Sequence, residues 1–266
     1  MNNFHALEEA FWQSISQSHY TSNNIKAYIS PVTEVQNFNI CYINEGADIQ
    51  EIINVLNWYN AQSRDCMIIC PEGPTHAILQ SHKVTWQLEN ETPTMAMFLN
   101  LNEWQPIPNR IDDFVIRLSN DDLSYWSSPL VTAFGSGDLL QDAIVIGQYQ
   151  TAHEMALRQQ CPLYHFALIH HDTPICSLTL TIIDDAARLD DIGTDIHHQG
   201  KGYATALIQY ALIFAKEQSA KQCVLEASSD GLSVYQKLGF KSLWHYHAYY
   251  KSTELNTKHH NQNDHQ

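Results

Sequence analysis

The 266-residue sequence predicts a mixed α/β fold in two parts, with sheets that combine parallel and antiparallel strands. Three observations point to it. Short apolar or alternating runs recur along the chain, and segments with apolar residues at i, i+3, i+4 and i+7 stand between them. Near the middle, residues 102–110 (NEWQPIPNR) set two prolines among polar residues, which breaks both periodicities and marks a boundary. Hydrophobic residues make up 44% of the chain, enough for one large domain or two modest ones.

In the first part, 37–44 (NFNICYIN) reads as a strand carrying Phe38, Ile40, Tyr42 and Ile43. Residues 47–62 read as a helix with Ile49, Ile52, Ile53, Leu56 and Tyr59 at helical spacing. CMIIC (66–70) is a short buried strand, PEGPTHAILQSH a turn and a short helix, and 84–89 and 94–101 are strands. In the second part, 114–119 is a strand and Asn120 offers a helix cap, followed by helical sequence to about residue 160. Residues 163–170 and 175–183 form a hairpin around His171–Pro174, and 187–196 is a third strand. A helix follows to about 219, then a strand at 222–228, a short helix stopped by Gly239, and a strand at 243–250. The polar stretch 252–266 is expected to be disordered. The expected division is thus 1–110, 111–251 and a tail at 252–266.

The formal charge is -15, with 14 Lys+Arg against 29 Asp+Glu. Nucleic-acid binding needs a basic surface and is excluded as an expectation. The opening MNNFHALEEAFWQ has neither a basic nor an apolar signal region, and no apolar run approaches the length of a membrane span. A cytoplasmic location is expected, with no membrane partner. The six cysteines are scattered without zinc or redox spacing, so free, mostly buried thiols are expected. Fifteen histidines are dispersed without a metal pattern, and no metal is expected.

The stretch that asks for an explanation is HHQGKGYATAL (197–207). The helix it opens has Ala204, Leu207, Ile208, Ala211, Leu212 and Ala215 on one face. The first N–H groups of a helix lack internal partners and carry the positive end of its dipole. With Gly200 and Gly202 beside them, an anion can come close. A nucleotide P-loop would need G-x-x-x-x-G-K-[ST], which is absent. A dinucleotide fingerprint would need a third glycine where Thr205 stands. The third reading is the pyrophosphate of coenzyme A.

Gln199-Gly200-Lys201-Gly202-Tyr203-Ala204 resembles the Q/R-x-x-G-x-G/A motif of the GNAT superfamily of N-acetyltransferases. Downstream, LEASSDG (225–231) and VYQKLGF (234–240) resemble that family's other signature, a strand followed by a Y-x-K-x-G-F helix end. The resemblance covers roughly 113–251. It implies a GNAT-like central mixed sheet with a splayed strand pair. The first part, ending in Met95–Leu99, looks like the smaller, degenerate GNAT-like α/β half of tandem members, without a cradle and without a cofactor of its own.

The resemblance implies an acetyl-CoA-dependent N-acetyltransferase that transfers acetyl to a primary amine by direct attack. Pantetheine would pair with the strand before the cradle, over Asp191-Ile192-Gly193-Thr194. The cradle itself would be Gln199, Gly200, Lys201, Gly202, Tyr203, Ala204 and Thr205. Tyr235 stands at the family's general-acid position, opposite a leaving thiol of pKa about 8.5. An alkylamine of pKa about 10.4 is mostly protonated at pH 7, so a base helps. Asp190, placed by strand alternation on the same face as Thr194, is the candidate, with Glu226 as runner-up. Alternatives stay open: a catalytically weak CoA-binding sensor or scaffold, or transfer of another acyl group. Trp126, Tyr149 and Trp244 are candidates to line an acceptor cleft. The acceptor's identity and homodimerisation are left open.

Overall fold

The computed structural model describes residues 3–109 and 111–251, so the expected tail at 252–266 lies outside the described residues. In chain order the elements are α1 (Asn3–Ser14), β1 (Ser18–Thr21), β2 (Ile25–Ile29), β3 (Ile40–Ile43), α2 (Ile49–Ala61), β4 (Met67–Pro71), α3 (Pro74–His82), β5 (Leu88–Asn90) and β6 (Thr94–Asn100). They continue as β7 (Phe114–Leu118), α4 (Ser124–Ser127), α5 (Leu130–Ala133), α6 (Leu139–Arg158), β8 (Leu163–His170), β9 (Thr173–Ile183) and β10 (Ala186–Thr194). The last are α7 (Tyr203–Glu217), β11 (Gln222–Ala227), α8 (Leu232–Lys237) and β12 (Lys241–Lys251). Among the described residues no helix is long and apolar enough to cross a membrane.

The chain divides into two compact units. One takes residues up to Ser18, Ser30–Thr33 and Thr94–Trp244; the other takes His19–Ile29, Glu34–Pro93 and the described residues from His245. This differs from a linear break near 110. β6 goes with the larger unit because it pairs with β11 along its length, from Asn100↔Gln222 to Met95↔Ala227. α1, which periodicity had not marked, goes with it too, burying Phe4, Leu7 and Phe11 at i, i+3 and i+7.

In the larger unit the strand order is β6-β11-β10-β9-β8-β7. β10 and β11 are parallel and the other neighbours antiparallel. The β8–β9 hairpin turns at His171 and Asp172, both with positive φ (47° and 61°), as a two-residue turn matched to strand twist requires. β9 is buried from Ile175 to Thr181, the mark of a strand covered on both faces. One face carries Leu178, Leu180, Leu189 and Leu225 against Leu207, Ala211 and Leu212 of α7. Asn120 does not cap a helix. Its Oδ1 accepts the His165 N–H (2.8 Å) and its Nδ2 donates to the Leu163 carbonyl (2.8 Å), tying the end of β7 to β8.

In the smaller unit β2 pairs antiparallel with β3, β3 parallel with β4, and β4 antiparallel with Tyr246–Tyr249 of β12. Ile25, Ile43, Ile52, Val55 and Leu79 centre its core. α2 starts at a capping box: Asp48 accepts the Glu51 N–H, and the Glu51 carboxylate accepts the Asp48 N–H. The strand expected at 84–89 shrinks to Leu88–Asn90. Val84 is 90% exposed, and helix-like bonds (Trp86 N–H to His82 O, Leu88 N–H to Lys83 O) wind the segment into turns instead.

Candidate active site

The site begins where two strands part. β10 and β11 pair in parallel from Ala186↔Gln222 to Leu189↔Leu225. β10 then runs on to Thr194 and β11 to Ala227. At the same point the β9 register slips: Asp190 lies opposite Thr179, but Gly193 lies opposite Ser177. Three steps on β10 match two on β9, which is a β-bulge, and Asp191 at its centre has φ +52°. Past the bulge β10 no longer pairs with β11, so among the described residues the backbone of 190–194 has no neighbouring strand on that side.

The extra residue reverses the alternation that sequence reasoning relied on. Asp190 and Gly193 share one face of the sheet, while Ile192 and Thr194 face the α7 side, where Thr194 Oγ1 donates to Cys176 Sγ (3.2 Å). Asp190 therefore does not share a face with Thr194. It sits with Arg188, whose Nε lies 2.9 Å from both carboxylate oxygens and whose Nη2 lies 2.9 Å from Oδ1. Gly193 has a packing reason of its own. A Cβ there would meet Leu130 Cδ2 at 2.6 Å and the Ala133 Cβ at 2.9 Å, so α5 can close on the bulge only over a glycine.

Beyond the bulge the chain reaches α7 through Gly200 and Gly202, with φ of +73° and +98°. Gly202 is the N-cap and brings no capping side chain, and the Ala206 N–H donates to Gly202 O at the first turn. The N-terminus of α7 is therefore a set of N–H groups without side-chain competition. Lys201 turns back, its Nζ donating to His197 O (3.1 Å), and Gln199 Nε2 donates to Thr194 O (3.2 Å). Tyr203 is a core residue, 7% exposed, so its backbone rather than its ring faces the helix start. Ala204 and Thr205 are half-buried in the first turn.

Three carboxylates border the open end of the strand pair. Asp190 is pushed up by burial and held back by Arg188. Asp191 is pushed up to about 7 by burial and by the Asp190 charge, against hydrogen bonds from Thr179 Oγ1 (2.7 Å) and Tyr149 Oη (2.8 Å). Glu226, one residue past the last β10–β11 pair, is also pushed up to about 7, by burial first and the Glu8 carboxylate second, and accepts from Thr94 Oγ1. Glu8 of α1 lies 3.8 Å from Arg188 Nη1, so Glu8 and Asp190 share one guanidinium.

Tyr235 lies on α8, 8% exposed, with its ring edge-on to Phe240. Burial, then the nearby Cys176 thiol and Asp190 carboxyl, push its phenol well up, so it stays protonated. Ser228 supports the start of α8 by accepting the Gly231 N–H (3.3 Å). Of the aromatics considered for a cleft, Trp126 is fully buried against His153 and His165, Tyr149 holds Asp191, and Trp244 packs on Phe4. Arg188, His153 and His165 were not singled out from sequence, and strand alternation set Asp191 aside as facing the other way. The available signal was a pair of acids two residues before a glycine inside a strand, which is how a bulge reads.

Residues 137–240 match the acetyltransferase (GNAT) family. The human N-acetyltransferase 8B is 33% identical over 84 residues, which are 30% of this chain and 37% of that protein, so the match spans little more than a third of the curated relative. Among solved structures, a GCN5-related N-acetyltransferase from Kribbella flavida superposes with a TM-score of 0.65 at 13% identity, over 93% of this chain and 96% of its own. A tandem GNAT protein from the clavulanic acid biosynthesis pathway does so with a TM-score of 0.53 at 12% identity, over 86% and 79%. These structures share the fold across both units. The parallel strand pair opened by a bulge and the glycine-capped helix behind it lie within 137–240, the segment of this chain that matches the acetyltransferase (GNAT) family.

Proposed function

We propose that the larger unit is an acetyl-CoA-dependent N-acetyltransferase acting on a primary amine. The observation that carries this reading is the parting of β10 from β11 at Leu189 and Leu225, directly before the glycine-capped start of α7. An extended thiol cofactor fits such a gap. Its amides would pair with the free backbone edge at Ile192–Thr194, and its pyrophosphate would accept N–H groups from Gly200 to Thr205. Lys201 contributes backbone rather than charge, since its ammonium is turned to His197.

In the reaction the ammonium loses a proton, the neutral nitrogen attacks the thioester carbonyl, and as the adduct collapses the nitrogen loses its second proton while the thiolate leaves and is protonated. Tyr235 is the proposed donor to the thiolate. A buried phenol that stays protonated has its hydrogen available to the developing thiolate, and a hydrogen bond from it stabilises that charge as the thioester breaks. Asp190 is a poor base, because taking a proton there would break its contacts with Arg188. Asp191 and Glu226, both near 7, lie in the range a general base requires.

The smaller unit is proposed to be a degenerate counterpart. Its β3–α2–β4–α3 order parallels β10–α7–β11–α8, again with a parallel strand pair. Where α7 starts with glycines, however, α2 starts with the Asp48 and Glu51 carboxylates, which already hold the N–H groups and repel an anion. One observation favours a second reading, a CoA-binding chain with weak turnover: the carboxylate expected to be the base is neutralised by Arg188. Calorimetric titration with acetyl-CoA and a thiol-release assay over a panel of primary amines separate the two. Binding with turnover supports the enzyme; binding without it supports the sensor; no binding refutes both.

A further inference from the structure

A buried chain of side chains runs from the end of β7 to the bulge, and its hydrogen bonds have a fixed direction. Asn120 is oriented by its own two backbone contacts: Nδ2 donates to Leu163 O and Oδ1 accepts the His165 N–H. The same Oδ1 lies 3.1 Å from His165 Nδ1, and an amide oxygen only accepts, so His165 carries its proton on Nδ1. His165 Nε2 is then an acceptor, and the His153 Nδ1–H donates to it at 2.8 Å. That leaves His153 Nε2 as a bare lone pair. It is fully buried, has no hydrogen-bond partner among the described residues, and lies 3.8 Å from Asp191 Oδ2. Two acceptors face each other across a gap that is one proton short.

We infer that Asp191 and His153 form a proton store behind the bulge, in which a proton taken from the acceptor amine by the Asp191 carboxylate is held on Oδ2 and directed at His153 Nε2. The inference rests on the acetyltransferase reading for its catalytic part. Two protons leave the nitrogen. The ammonium N–H bond breaks and an O–H bond forms on Asp191, and the neutral amine becomes the nucleophile. The second N–H proton, lost from the tetrahedral adduct, offsets the one the leaving thiolate gains, and the proton on Asp191 returns to solvent after acyl transfer. His153 acts through Asp191 and is a positioning residue.

The surroundings agree on where the proton rests. His153 is packed by Trp126 of α4, Tyr149 of α6 and Phe11 of α1, and His165 faces it from β8. The ionisable groups around Asp191 are Tyr149 from α6, His153 from α6, and Asp190 and Arg188 on its own strand, with Glu8 of α1 behind Arg188; Thr179 faces it from β9. Burial and the facing His165 push His153 far down, and burial alone takes His165 to about 3. Asp191 moves the other way. An acid that is hard to ionise beside an imidazole that is hard to protonate makes the neutral pair, carboxyl donating to imidazole, the favoured protonated form.

Nitrogen NMR of the full chain with 15N-labelled histidine, titrated from pH 5 to 9, tests the pair without any activity assay. We expect His153 to stay neutral with its proton on Nδ1, and its Nε2 resonance to move with a transition near pH 7. A proton on Nε2 at pH 9 overturns the inference, as does an Nε2 resonance that does not titrate. In Asp191→Asn that transition should vanish, and kcat should fall about 100-fold or more while acetyl-CoA still binds. His153→Gln places an amide donor beside Asp191, which favours the carboxylate, so the acid limb of the kcat profile should move to lower pH. An unmoved limb removes His153 from the mechanism. If wild type binds no acetyl-CoA, the acetyltransferase reading fails and takes the catalytic role with it, whereas the NMR titration still decides the pair.

Discussion

Gly202 offers a clean way to separate a cradle from a mere helix start, because its conformation and its surroundings make different demands. At φ +98° any side chain meets left-handed strain of about 1–2 kcal/mol. The space itself is open: an added Cβ would meet only Ile111 Cγ2, at an ordinary 3.8 Å. Gly202→Ala should therefore lose about 1–2 kcal/mol of stability. Its acetyl-CoA affinity should stay within a few-fold, because the strain is present in free and bound protein alike. Gly202→Glu should lose a similar amount of stability and also set a carboxylate among the N–H groups that would hold the pyrophosphate. Excluding one phosphate contact and adding a like charge should weaken binding about 100-fold or more, roughly 2.7 kcal/mol. The assay is calorimetric titration of both variants beside wild type, with urea unfolding for the stability term. Wild-type protein at 100 times Kd should gain about 2.7 kcal/mol in the same unfolding experiment. If Gly202→Glu binds as Gly202→Ala does, the pyrophosphate is not at the start of α7. If Gly202→Ala loses as much affinity as Gly202→Glu, the loss comes from backbone geometry and carries no information about an anion.

Tyr235→Phe should lower kcat about 100-fold or more and leave acetyl-CoA binding nearly intact; an unchanged kcat removes the phenol from the chemistry. Arg188→Met strands the buried Asp190 and Glu8 carboxylates and should cost about 3–5 kcal/mol in urea unfolding, part of which Arg188→Met/Asp190→Leu should restore. Asp191 is raised in the folded chain, so its protonated form favours folding: that contribution is full below about pH 4 and is lost as pH rises through about 7. Compared with Asp191→Asn, wild type should lose stability across that window, and a pH-independent difference between the two would show that the carboxyl is not raised. Leu212→Ala, which empties a fully buried position of α7, should cost about 2–5 kcal/mol.

The elements easiest to read in the sequence were those whose burial is simple. β8 ends where alternation put it, at Leu163 and His170, and α7 follows its apolar face from Tyr203. The segment 84–89 misled because Val84, Trp86 and Leu88 alternate like a strand, yet Val84 projects into solvent and Trp86 stacks on His82 at 4.8 Å. Local pattern carries no information about which side a neighbour will cover. α1 was passed over for the opposite reason. Its apolar face is narrow, and its role is polar as well: Glu8 reaches Arg188, a partner 180 residues away in sequence that no local rule connects.

The site divides along the same line. The glycine-capped start of α7 is local, since two glycines and the helix after them are contiguous, and it was legible. The choice of base was not, because it rested on period-2 alternation through Asp190, Asp191 and Thr194, and one inserted residue inverts that count. The inversion is what the site is made of. The same bulge that puts Asp190 beside Arg188 lifts Asp191 into reach of Tyr149, Thr179 and His153, and past it β10 no longer pairs with β11. Gly193 permits it because α5 closes over a position without a Cβ. A strand that kept its alternation there would not bring Asp191 to Tyr149 and Thr179, and it would lack the open edge on which the proposed cofactor site depends.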